Sequence, residues 1–71
     1  MDFVDYYKID RKDINQLEMI LQSYENLAMF STIDSKIAIV RIMSDINNKG
    51  IISDILNSLD IKLEKMENYG K

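Results

Sequence analysis

The sequence predicts a two-layer α+β sandwich, with two helices covering one face of an antiparallel sheet. Three observations lead there. Residues 3–9, 28–33 and 36–43 are rich in aromatic and β-branched side chains. Two other stretches repeat apolar residues at steps of three and four, the period of a half-buried helix. These runs alternate as β-α-β-β-α, and with 71 residues there is room for one domain, residues 1–71.

In the first strand, Phe3, Tyr7 and Ile9 fall on one face and Val4, Tyr6 and Lys8 on the other. Asp10 follows at the position of a helix N-cap, with Asp13 placed to favour the dipole in the first turn. Ile9 before the cap and Ile14 after it have the spacing of a hydrophobic staple. Ile14, Leu17, Ile20, Leu21, Tyr24 and Leu27 then form the apolar stripe of a helix over about 11–25. Asn26 is the expected left-handed C-cap, with Leu27 supplying the apolar contact beyond it.

The next two runs flank Asp34-Ser35, which predicts a β-hairpin. The second run is apolar on both sides. Ala38, Val40 and Ile42 share one face, while Ile37, Ile39 and Met43 share the other, interrupted by Arg41. A strand covered on one face only does not need this, so the second face is expected to be covered as well. After a polar connection over 44–50, Asn47 or Asn48 is the expected cap of a second helix. Its stripe is Ile52, Ile55, Leu56, Leu59, Leu63 and Met66. Residues 60–66 alternate well enough for a fourth strand, but Lys62-Leu63-Glu64-Lys65-Met66 are strong helix formers and favour a continuing helix.

A right-handed strand-helix-strand crossover puts the first strand beside the third, giving the order 2-3-1 with the third strand central. This is the ferredoxin-like arrangement with its fourth strand short or absent.

Tyr7-Lys8-Ile9-Asp10-Arg11-Lys12-Asp13-Ile14, Leu17, Ile20-Leu21, Tyr24-Glu25-Asn26-Leu27-Ala28 and Thr32-Ile33-Asp34 together resemble a short uncharacterised bacterial family, domain of unknown function 4911. The resemblance covers about residues 3–63. Its best motif is the Tyr-Glu-x-Leu-Ala exit from the helix followed by Thr-x-Asp at the hairpin. The family usually has glycine where this chain has Asn26, and both residues accept the same left-handed backbone. It often has prolines after the third strand, where this chain has Ser44-Asp45, which leaves the start of the second helix open. The resemblance implies the fold and no particular activity. The topology is also similar to that of amino-acid-binding regulatory domains of the ACT type, a likeness of fold alone.

Composition excludes several functions. The chain has no cysteine and no histidine, so disulfides, thiolate clusters and Ser-His or Cys-His nucleophiles are absent. Its two glycines, Gly50 and Gly70, form no phosphate loop. The close acidic pairs Asp10/Asp13 and Glu64/Glu67 read as a cap and a solvated face rather than as acid-base or cation sites. No catalytic, cofactor-binding or metal-binding residue is therefore assigned, and the chain is expected not to be an enzyme. Twelve acidic against nine basic residues, a net charge of −3, argue against nucleic acid as a partner. No membrane span or signal segment is visible, so a cytoplasmic location is expected.

A domain of this size buries only roughly 60% of the surface of its unfolded chain. With no disulfide or zinc site, the expected source of added stability is a homo-oligomer, a dimer. Val4, Tyr6, Ile37, Ile39, Arg41 and Met43 are the expected interface, on the sheet face away from the helices. Pairing through the edge of the second strand is an alternative route. The favoured function is a non-enzymatic binding module that self-associates or takes a protein partner. The alternative is a regulatory domain holding an amino-acid-like effector near the junction of the first helix and second strand. A small RNA-binding module using Tyr6, Lys8 and Arg41 ranks below both.

Overall fold

The computed structural model describes residues 1–25 and 27–67. Strand β1 (Asp2–Ile9) leads through a 3-10 turn (Arg11–Asp13) into helix α1 (Ile14–Gln22). Strands β2 (Met29–Asp34) and β3 (Ile39–Asp45) follow, then a second 3-10 turn (Ile46–Asn48), helix α2 (Lys49–Ser58) and strand β4 (Leu63–Lys65). The sheet order is β2-β3-β1-β4, with every neighbouring pair antiparallel. This is the expected 2-3-1 order with a short fourth strand added beside β1, a ferredoxin-like α+β arrangement. The molecule is 17 Å through its thinnest dimension, enough for one sheet and one helical layer.

Register decides which side chains meet the helices. Tyr7 stands opposite Val40, Asp5 opposite Ile42 and Phe3 opposite Ser44 on the helix-covered face. Val40 and Ile42 are fully enclosed there with Leu17 and Leu21 of α1, while α2 adds Ile52 and Leu56. Each such side chain contributes about 1.5–3 kcal/mol. Truncating any one therefore removes a large part of a net stability of about 5–15 kcal/mol. Ile14, Ile20, Leu27 and Leu59 from the expected stripes pack against this core, while Tyr24 remains 45% exposed.

Several boundaries differ from expectation. Helix α1 stops at Gln22 rather than near 25, because the Ser23 hydroxyl donates back to the Ile20 carbonyl at 2.6 Å and a chain of tight turns follows. The proposed Asn26 cap lies outside the described residues. Asp10 occupies the cap position of the first 3-10 turn, but its backbone carbonyl, not its carboxylate, accepts from the Asp13 amide. Asn48, one of the two residues expected to cap the second helix, holds the N-cap position of α2, though its side chain makes no capping bond. The side-chain cap sits one turn earlier, at the 3-10 turn, where the Asp45 carboxylate at the end of β3 accepts from the Asn47 amide at 2.9 Å.

The hairpin is also reframed. Lys36, Ile37 and Ala38 belong to the turn rather than to β3, because the Asp34 carboxylate accepts from the amides of Lys36 (2.9 Å) and Ile37 (3.3 Å) and winds the chain. Ala38 closes the turn with φ of 56°. Finally, residues 60–66 do not continue the helix. Leu59 turns extended, Ile61 drops into the core, and Leu63–Lys65 pair with Tyr7, Lys8 and Ile9 of β1. Burying Ile61 and pairing the open side of β1 outweigh the helix propensity of the Lys-Leu-Glu-Lys run.

Candidate functional site: the open face of the sheet

The face turned away from the helices is built in four rows by the strand register. Asp2 faces Asp45 in the first row. Val4, Met43 and Met29 form the second, across β1, β3 and β2. Tyr6, Arg41 and Ser31 form the third. The fourth carries Glu64, Lys8, Ile39 and Asp34. The alternation of β1 and β3 fixes this placement, since one residue of slippage would carry Val40 and Ile42 out of the core.

Five of the six residues expected at an interface, Val4, Tyr6, Ile39, Arg41 and Met43, thus stand together. Ile37 does not join a strand; it projects from the hairpin turn, 51% exposed. Ile39 is on the open face but only 2% exposed, the single fully buried apolar side chain outside the connected core among the described residues. At that exposure it offers little to a partner. Without Ile37, the second side of β3 is less apolar than the sequence suggested: Ile39 and Met43 alternate with Arg41 and Asp45. The accessible apolar surface lies in the second row, where Val4 is 42% exposed, Met29 is 61% exposed and Met43 is half-buried. Met29 was not singled out from the sequence. Its signal is the alternation Met29, Ser31 against Phe30, Thr32, legible once Phe30 is assigned to the core.

Charge is unevenly spread over the face. The two carboxylates of the first row sit at one end, and the chain's amino terminus donates to Asp45 at 3.3 Å. The Asn47 amide, and then that ammonium, hold the Asp45 carboxyl below its ordinary pKa. Arg41 and Lys8 stand in the last two rows. Tyr6, Lys8 and Arg41 therefore share a face, as the RNA reading required, with one aromatic ring among them.

A cleft of about 470 Å³ opens beside the first two rows, where the α1-to-β2 connection crosses the end of β3. Leu27, Ala28, Met29 and Met43 give it apolar walls; Gln22, Tyr24, Asp2 and Asp45 stand among its polar groups. Its floor is held by Ser44, whose hydroxyl donates to the Leu27 carbonyl, and by Asn48, whose amide donates to Ser44 Oγ at 3.3 Å. The Asp34 carboxylate, at the far end of β2, is committed to the amides of the hairpin turn. Among the described residues no three acidic side chains gather as metal ligands, and no helix is long and apolar enough to cross a membrane.

No curated protein and no solved structure matches the chain. One family does, over residues 7–63, a span that takes in α1, α2 and the sheet from the end of β1 to the start of β4. Its description is "Domain of unknown function (DUF4911)", and the chain belongs to that family.

Proposed function

We propose that the chain is a non-enzymatic interaction module whose open sheet face binds a second copy of itself. The observation that carries this reading is the row Val4-Met43-Met29, apolar across three strands, with Val4 and Met29 exposed on the face turned away from the helices. Seven paired residues at about 3.3 Å each and four strands at about 4.8 Å give the face at most roughly 23 by 19 Å. That is on the order of 400 Å² in projection per copy, about half of what a standard stable interface buries on each partner, so a weak, concentration-dependent dimer is expected. Edge pairing is the weaker route. Strand β2 is an outer strand, but the register shift between Thr32 and Asp34 bends it away from a flat template. Light scattering on eluting protein tests the proposal. A mass falling from dimer towards monomer on dilution supports it, and Met29→Lys, at a site exposed enough to spare the fold, should leave the monomer alone. Ile39→Lys is unsuitable, because that side chain is buried and its loss would unfold the domain.

The cleft favours a second reading, an effector-binding regulatory module. Among the described residues the lining contains two carboxylates and no basic side chain, which suits an uncharged or cationic small molecule better than a nucleotide. A thermal-shift screen separates the readings, since a ligand at about a hundred times its dissociation constant adds about 2.7 kcal/mol.

A further inference from the structure

We infer that the second copy lies on the open face with its strands reversed, β1 across β1, so that Asp2 of each copy meets Lys8 of the other. This rests on the self-association proposed above and adds its register. Two copies stacked face to face are related by a two-fold axis lying between the sheets, either along the strands or across them. An axis along the strands lays every row on itself. Asp2 and Asp45 then gather at one level with their own copies, four carboxylates relieved only by the two amino termini, while every basic side chain of the face stays at the far levels. An axis across the strands reverses the rows. Asp2 comes over Lys8, Val4 over the Tyr6 ring, and Met43 over the aliphatic stem of Arg41.

Carboxylates crowded at one level count against the first arrangement, and the second sets Asp2 against Lys8 instead. Of the remaining acids, Asp45 comes over Ile39 and keeps the amino terminus as its partner. Glu64 and Asp34 stand in the fourth row on the outer strands. In the reversed copy they lie over the level of the first row, one strand to the outside of Asp2 and Asp45 rather than over them. Packed sheets cross at about −30°, which leaves the Asp2–Lys8 contacts at the rim. Rim charges fix orientation more than affinity.

Charge exchange tests this directly. Asp2→Lys and Lys8→Asp are both at exposed positions, and circular dichroism confirms that each variant is folded. At low salt each variant alone turns two attractions into two repulsions and is expected to dissociate about tenfold more readily than the native chain. An equimolar mixture of the two re-forms the native pairs and should recover native affinity as a mixed dimer in sedimentation. Native self-association with both variants unaffected, or with a mixture no tighter than either, overturns the register and leaves the association standing. A monomeric native chain overturns both.

Discussion

The Ser44 hydroxyl at the end of β3 donates to the carbonyl of Leu27, 17 residues earlier, and ties the α1-to-β2 connection to the centre of the sheet. Asn48 reaches the same carbonyl at 3.5 Å, a longer and weaker contact. Ser44 is only 7% exposed, so removing its hydroxyl leaves the Leu27 carbonyl poorly satisfied. Ser44→Ala is expected to lower stability by about 1–3 kcal/mol in urea unfolding. An unchanged midpoint would assign the connection's order to apolar packing alone.

Asp45 links strand to helix, and its low pKa gives that link a pH dependence. The carboxyl titrates below its ordinary value of 3.8 in the folded chain, chiefly because the Asn47 amide donates to the ionised form. Its contribution is therefore present above the ordinary value and is lost as pH falls through the lowered one. Unfolding followed from neutral pH into acid should show this loss, and Asp45→Ala should be less stable at neutral pH with a shallower acid limb. A parallel acid limb in the variant would remove Asp45 from the account.

Ala38 is buried at φ of 56°, a backbone that disfavours a β-carbon by about 1–2 kcal/mol. Ala38→Gly relieves this, loses about 0.8 kcal/mol of methyl burial and adds freedom to the unfolded chain. Its net effect is expected within about 1 kcal/mol of zero. Ala38→Val puts a branched side chain in the same conformation and should destabilise by about 2 kcal/mol or more. Urea unfolding of both variants checks the pair, and equal effects would contradict it.

Burial raises the Tyr7 phenol above 10.0, with Asp5 and Glu67 adding to the effect. The stability that goes with the neutral phenol is complete below 10.0 and is lost as pH rises through the raised folded value. Tyr7→Phe should flatten the alkaline end of the stability profile. Absorbance titration should find one phenol of the native chain ionising late, and that late phase should be missing from the variant.

Much of the fold was legible because side-chain period and burial agreed. Phe3, Tyr7 and Ile9 against Val4, Tyr6 and Lys8 gave β1 its two faces, and Leu17 with Leu21 marked the inner side of α1. The errors share a cause, which is that local preference yielded to longer-range bonds. Residues 63–65 have helical propensity, yet the unpaired side of β1 draws them into the sheet. Lys36 to Ala38 carry strand-like residues, yet the Asp34 carboxylate curls them into a turn. The open face was found through β1 and β3, whose alternation is regular. Met29 was missed because the partner strand's register, interrupted between Thr32 and Asp34, is fixed only by pairing with β3.

Sedimentation velocity over a dilution series tests the open face most directly, comparing the native chain with the double variant Val4→Lys, Met29→Lys. Both side chains are well exposed, so the variant should keep the native circular dichroism. The native chain is expected to move from dimer to monomer across the micromolar range, with the variant monomeric throughout. A native chain that stays monomeric at concentrations on the order of 100 µM, or a variant that associates as tightly as the native chain, would contradict the account.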